Sequence, residues 1–398
     1  MPLRPVTTGA GVPPEPPLVR DGRLRIVESG RVEAVLPSPC IQNHAANLMV
    51  LANCDLLCTW FGGTQEGVPD ISPLLSRLPA GGDRWSEPVR LSDDMTRSEQ
   101  NPILAYGPDG KLWLLFTSQV SGNQDTAIVK CRVSEDEGLT WGPVHTLIDR
   151  PGTFVRQPPI LLANGDWLLP TFLCRTTPGE KWVGNDDISQ VLISSDGGAT
   201  WSAHDVPGSL GCVHMNIVPG PNGLTAVFRS RWADFVYLSR STDHGRTWSP
   251  PEPTALPNNN SSIQATRLRD GRLAMVFNRS SALNATERRV SLYDDLEDDA
   301  PTLPPASTPR PVPAPPARTA FWGAPRAPMS IAFSADDGRS WPEIHDIALG
   351  DGFCMTNNSS EKRNRELSYP TVVETADGSL HMAFTFFRQA IKYVRLSR

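Results

Sequence analysis

The sequence is short of the features that would tie it to nucleic acid, to a metal or to a membrane. Its 37 Lys and Arg are outnumbered by 43 Asp and Glu, for a net charge of −6, and no basic run exceeds a few residues. A surface that follows phosphates needs the opposite balance, so no nucleic-acid partner is expected. Nowhere does an apolar run approach the roughly 20 residues of a membrane-spanning helix. The opening stretch, "MPLRPVTTGAGVPPEPPLVR", has no apolar segment of signal-peptide length. A cytoplasmic chain is the expectation, without a membrane partner and with residues 1–20 as a flexible lead-in. The seven cysteines are an odd set without CxxC spacing, a pattern that argues against a zinc centre or a disulfide framework. No metal and no cofactor is expected. Helical periodicity is almost missing too.

What is present is a recurring hairpin. Six stretches place a tight turn between short apolar runs: "LMVLANCDLLCTWF", "PILAYGPDGKLWLLF", "PILLANGDWLLPTF", "NIVPGPNGLTAVF", "ATRLRDGRLAMVF" and "TVVETADGSLHMAF". Asp-Gly or Asn-Gly between β-rich runs is a strong hairpin signal, because these turns need positive φ. Gly110, Gly165, Gly223, Gly271 and Gly378 fill the turn in five of them, and Cys54 stands there in the first. Successive turns lie roughly 50 residues apart until Gly271; the last gap is about twice as long. That gap holds "DDLEDDAPTLPPASTPRPVPAPPARTAFWGAPR", acidic and then proline-rich, which cannot form a central strand. Residues 292–318 are therefore expected as an insertion, a loop outside the core of one repeat.

A second signal follows four of the hairpins: "SEDEGLTW" (134–141), "SSDGGATW" (194–201), "STDHGRTW" (241–248) and "SADDGRSW" (334–341). A hydroxyl, a carboxylate two residues on and a glycine satisfy the backbone of a tight turn, and the trailing Trp pins it between sheets. Asp136, Asp196, Asp243 and Asp336 could be mistaken for catalytic carboxylates. Four copies on successive repeats cannot converge on one reacting atom. The octets are scaffolding. Six repeats of four strands predict a single all-β domain over residues 21–398, a six-bladed β-propeller with four-stranded antiparallel blades. "LRIVES" and "VEAVL" near the N-terminus would complete the last blade and hide its edge.

In a propeller the innermost strands all begin at one mouth of the central channel, where their first residues converge. Counting back from each turn gives "NHAAN" (His44), "SEQNP" (Gln100, Asn101), "VRQPP" (Arg156, Gln157), "CVHMN" (His214, Asn216), "NNSSIQ" (Ser262, Gln264) and "LSYP" (Tyr369). Strand starts without a function would read Val, Thr or Ile; here they form a polar ring. "FGGTQEGVPD" adds Glu66 and Asp70, "FRSRWADF" adds Arg229 and Arg231 on one face by period two, and "GAPRAPMSIAFS" adds Arg326. Several arginines at one mouth favour an anionic ligand, since guanidinium grips carboxylate as a fork.

The octets resemble the Asp-boxes of the sialidase (neuraminidase) superfamily, and the likeness covers roughly residues 33–397 outside the insertion. It implies a six-bladed propeller with the boxes far from the active site, and an acidic carbohydrate as substrate. In that family three arginines hold the substrate carboxylate, a tyrosine is the nucleophile and an early-loop Asp is the acid/base. By resemblance Tyr369 is the nucleophile, Arg326 the third arginine, Arg229 or Arg231 the second, and Glu66 the acid/base with Asp changed to Glu. The chain departs where sialidases write Arg-Ile-Pro: it has His44-Ala45-Ala46. His214 also stands where the tyrosine's Glu partner would be. "QNHAANL" and "GNQDTA" are similar to propeller lyases that cleave rhamnosyl–glucuronate linkages. Two histidines, a tyrosine and arginines suit β-elimination from a uronate as well as hydrolysis. A glycan-binding propeller without catalysis is the third reading.

Overall fold

The structure, a computed structural model, describes residues 18–177, 179–296 and 318–397. The six hairpins of the sequence are the inner pairs of six antiparallel sheets, four of them four-stranded. Their innermost strands are Gln42–Val50, Ser98–Tyr106, Thr153–Val155 continued by Ile160–Leu161, Cys212–Gly220, Gln264–Arg267 and Leu367–Glu374, in blades 1 to 6. The fold is a six-bladed β-propeller. In blade 6, Ala390–Leu396 pairs with Arg31–Val35, which pairs with Arg25–Glu28, so the chain start completes the last blade as the sequence predicts. The lead-in falls outside the described residues up to position 17. Among the described residues no helix is long and apolar enough to cross a membrane, and all seven cysteines are free.

Cys54 takes the turn position of the first hairpin at φ 68, the left-handed conformation its glycine counterparts adopt freely. The four octets occupy the turns between third and fourth strands, at the same end as the hairpin turns. In each, the Ser hydroxyl donates to the Asp carboxylate (2.8–2.9 Å) and accepts the Gly amide. The Asp in turn accepts the Thr or Ser amide four residues on, at 2.8–2.9 Å. These turns also join blades. A Cβ on Gly245 would lie 2.6 Å from Leu168 of the preceding blade, and Arg240 of blade 4 donates to the Asp337 carbonyl of blade 5 at 3.0 Å.

Nearer the axis the ring is held by side chains that accept a neighbouring blade's inner-strand amide. Asn47 takes Leu104 N–H (3.0 Å), Thr117 takes Val155 (3.1 Å), Asn216 takes Ala265 (2.5 Å), Gln264 takes Val372 (2.7 Å) and Thr371 takes Leu48 (3.0 Å). Asn216 and Gln264, read from sequence as pocket residues, are thus spent on closing the ring.

The insertion leaves blade 5 between Leu273–Asn278 and Met329–Ser334. Positions 297–317 lie outside the described residues. The start of the insertion departs from the expected peripheral loop: Leu292 and Tyr293 are buried with Trp182, Phe154, Phe172 and Trp322. Two large apolar side chains amid "SLYDDLEDD" have a hydrophobic gain available at the channel mouth that outweighs the solvation of their acidic neighbours.

Candidate functional site

Four inner strands carry the same irregularity. Their register slips by one residue at His44/Asn47, Gln100/Ile103, Val213/Asn216 and Ser368/Thr371. The bulged residues Ala45 (φ 62), Asn101 (φ 50), His214 (φ 54) and Tyr369 (φ 50) are all left-handed. A bulge turns its side chain out of the strand's alternation, here toward the axis. Tyr369 is therefore the counterpart of His214 and Ala45, and His44 stands one residue earlier than the sequence count implies. The three rings still meet: His44 lies 4.2 Å and His214 5.5 Å from Tyr369, centroid to centroid.

Three guanidinium groups surround the Tyr369 ring, Arg156 at 5.3 Å, Arg229 at 5.6 Å and Arg326 at 5.7 Å. Arg229 donates to the phenol oxygen at 2.6 Å and to Asn260 Oδ1 at 2.7 Å. Arg156 donates to Ser262 Oγ (3.2 Å) and to the carbonyls of Ala46 (3.0 Å) and Tyr369 (3.2 Å). Neither Arg156 nor Arg229 meets a carboxylate among the described residues, and both are 1% exposed. Arg326 differs: Glu366 accepts from it at 2.6 Å. Burial lowers Arg156 to about 10 and Arg229 to about 9, so both stay cationic at neutral pH. Burial and then the surrounding arginines hold His44 and His214 well below the usual histidine range, so both are neutral there.

A hydrogen-bond partner assigns the tautomer of His214. Arg229 Nη1 lies 3.4 Å from His214 Nε2 and can only donate, so His214 carries its proton on Nδ1. Thr385 Oγ1 accepts Ala45 N–H (3.1 Å) and faces His44 Nδ1 at 2.8 Å. Either atom of that pair can donate, so His44 Nε2 carries the proton when Thr385 donates and a free lone pair when Nδ1 does. His44 Nε2, His214 Nδ1, Arg156 Nη1, Arg229 Nη2 and Asn101 Oδ1 are buried without a hydrogen-bond partner among the described residues. Buried polar atoms are nearly always paired, so the four orphans around Tyr369 mark a place built for a polar ligand.

The remaining predicted residues are drawn elsewhere. Arg231 is held by Asp187 Oδ2 at 2.9 and 2.7 Å and caged by Trp182 and Trp322 at 5.2 and 5.1 Å. Gln157 donates to the Ile263 carbonyl (2.6 Å) and accepts from Gln264 (3.1 Å), joining blades. Asp70 caps its own loop by accepting Thr64 N–H. Glu66 forms a buried ion pair with Arg388, which also pairs with Glu366. A separate groove of about 730 Å³ on blade 6, lined by Val27, Val35, Phe386 and Lys392, has no such convergence of arginine and histidine.

The profile of the BNR repeat-like domain matches residues 54–382, most of the chain. The chain belongs to that family. Solved propellers share the fold of this BNR chain at low identity. A Hadza microbial sialidase is 14% identical with a TM-score of 0.63, over 90% of this chain and 66% of that one. A protein of unknown function from Dyadobacter fermentans is 16% identical with a TM-score of 0.64, over 94% and 99%. The NanB sialidase of Streptococcus pneumoniae is 13% identical with a TM-score of 0.62, over 91% and 70%. No curated protein matches the sequence. These likenesses establish the fold of the BNR chain as the sialidase type.

Sequence reading missed Arg388, Glu366 and Asp187, which set the charge balance of the BNR site. Arg388 sits in "MAFTFFRQAI", a lone cation amid mostly aromatic and aliphatic residues. That isolation is the signal of a buried, paired charge. Asp187 and Glu366 lie in loops rich in polar residues, where nothing sets them apart.

Proposed function

We propose that the protein is a carbohydrate-active enzyme that takes the terminal acidic sugar of a glycan into this pocket and cleaves the bond beside it. The observation that carries this is the pair Arg156 and Arg229, buried cations without carboxylate partners among the described residues, each with an orphaned nitrogen and both against Tyr369. A ligand carboxylate supplies the missing charge and accepts from Arg156 Nη1 and Arg229 Nη2. The Tyr369 oxygen, held by Arg229, then faces the sugar. In a sialidase-type hydrolysis it attacks the anomeric carbon and gives up its proton, and the bond from that carbon to the leaving oxygen breaks as this oxygen takes the proton up. Water later attacks the same carbon, freeing the sugar and returning a proton to the phenol oxygen. Negative charge that develops on that oxygen is stabilised by the same guanidinium.

One observation favours a second reading, β-elimination at a uronate. Glu66, the acid/base by resemblance, is tied to Arg388, whereas two neutral histidines offer free ring nitrogens beside Tyr369. Elimination needs a proton taken from C5, by His44 Nε2 in the tautomer with its hydrogen on Nδ1, and one given to the leaving oxygen by the Tyr369 hydroxyl. Incubation with sialyl and uronyl oligosaccharides separates the two. Hydrolysis releases a saturated acidic sugar, and elimination raises absorbance near 235 nm. Arg229→Met is expected to lower kcat/KM at least a hundredfold on the accepted glycan. Full activity of Arg229→Met, or neither product from any acidic glycan, rules out the proposal.

A further inference from the structure

One element at the mouth belongs to no blade. Residues 289–296, at the start of the blade 5 insertion, are bound to elements from around the rim. Tyr293 Oη accepts from Gln124 Nε2 of blade 2 at 3.0 Å. Asp295 accepts from Asn357 N (2.5 Å) and Thr356 Oγ1 (3.0 Å) on the linker into blade 6, and Arg289 pairs with Asp294 and Asp295. Two glycines leave room for it. A Cβ on Gly67, in the blade 1 loop that carries Glu66, would lie 2.7 Å from Leu296 and 3.1 Å from Tyr293; on Gly122 of blade 2 it would lie 3.1 Å from both. The Tyr293 ring is 6.3 Å from Trp182, which is 5.9 Å from Trp322, and Trp322 lies over Arg229 at 5.7 Å. This crossbar is thus continuous with a wall of the arginine pocket. In that pocket Arg156, Arg229, His214 and Tyr369 are all at most 5% exposed.

We propose that the crossbar roofs the pocket over a single sugar, with Tyr293 as the residue that restricts the site to chain ends. The inference rests on the acidic-sugar reading above. A carboxylate gripped by Arg156 and Arg229 places its sugar against Trp322, and Tyr293 with Leu292 fills the space through which a further residue would leave. An acidic sugar that carries another sugar on its non-reducing side cannot be bound with the roof in place.

The test uses methyl glycosides of N-acetylneuraminic acid and of glucuronic acid, each uncapped and with a neutral hexose on the acidic sugar, with binding measured by calorimetry. The wild-type protein is expected to bind one uncapped glycoside at least tenfold tighter than its capped form. Tyr293→Ala should shrink that ratio below threefold through tighter binding of the capped form, while Tyr293→Phe, which keeps the ring, preserves it. Gly122→Leu pushes the roof away without altering Tyr293 and should act like Tyr293→Ala, so the outcome does not hang on one variant's folding. Equal binding of capped and uncapped forms by the wild type, or a ratio unchanged in folded Tyr293→Ala and Gly122→Leu, overturns the roof alone. Failure of every uncapped glycoside to bind overturns the reading of the pocket as well.

Discussion

Tyr369 keeps a backbone conformation, φ 50, that costs a non-glycine residue roughly 1–2 kcal/mol. Ala45 meets the same demand in blade 1 with no functional group to show for it, so the bulge belongs to the blades and the aromatic ring is what blade 6 adds. The hydroxyl carries the chemistry in either mechanism. Tyr369→Phe keeps ring and bulge and is expected to lower kcat by about a hundredfold or more, with a melting temperature within a few degrees of wild type. Full activity of this variant on the accepted glycan removes Tyr369 from the mechanism. Arg388 makes a different prediction. It is 2% exposed between Glu66 and Glu366, so Arg388→Met leaves buried carboxylates short of a partner and should destabilise by roughly 3–5 kcal/mol. Denaturant melts measure this; a loss under 1 kcal/mol means the carboxylates find other partners. Tyr369, His44 and His214 were legible because a polar residue heads each of their strands. Arg388 was not, since a turn after "TFFR" has no repeat counterpart to compare with.

The octets act between elements. Each ties the third and fourth strands of its blade, and Asp196 accepts Thr200 N–H (2.9 Å), Thr200 Oγ1 (2.6 Å) and Ser194 Oγ (2.8 Å). Asp196→Ala frees all three donors at the end of the propeller away from Tyr369. A fall in melting temperature of about 2–4 °C is expected, with the specific activity of the folded protein unchanged. A large loss of activity in fully folded Asp196→Ala would contradict the separation of scaffold from site. The hairpins and octets were legible because both depend on local backbone chemistry: positive φ at a turn, a hydroxyl and a carboxylate on nearby amides. The bulges were not, because a one-residue slip leaves no mark in apolar alternation when both faces of a strand are buried. The crossbar was hidden for a related reason. The acidic and proline-rich composition describes the insertion as a whole, while residues 289–296 are placed by buried Leu292 and Tyr293 together with the polar contacts of Arg289 and Asp295.

At the scale of the molecule, the ring holds three buried histidines as neutral groups. Burial is the largest cause for each, and neighbouring arginines add to it for His44, His214 and His381. His381 lies outside the arginine pocket, with Nδ1 2.6 Å from Tyr393 Oη and Nε2 2.9 Å from Thr375 Oγ1, and is lowered to about 4. An unfolded histidine protonates near 6.5, so between about 6.5 and 4 the unfolded chain binds the proton and the folded chain does not. Stability is therefore complete above pH 6.5 and falls as the pH is lowered through that window, for His381 by roughly 3 kcal/mol in total. His44 and His214 act in the same direction. The octet carboxylates Asp136, Asp196, Asp243 and Asp336, held near 2, do not titrate in this range. Glu99, raised first of all by burial, opposes the trend. Calorimetric melts from pH 7.5 to 4.5 should show the wild-type melting temperature falling, and His381→Gln, uncharged throughout, should fall less steeply. Parallel curves for the two proteins would mean that His381 protonates in the folded state as readily as in the unfolded chain. Because the variant lies away from Tyr369, its activity at pH 7 should match wild type, which separates this acid sensitivity of the fold from titration within the pocket.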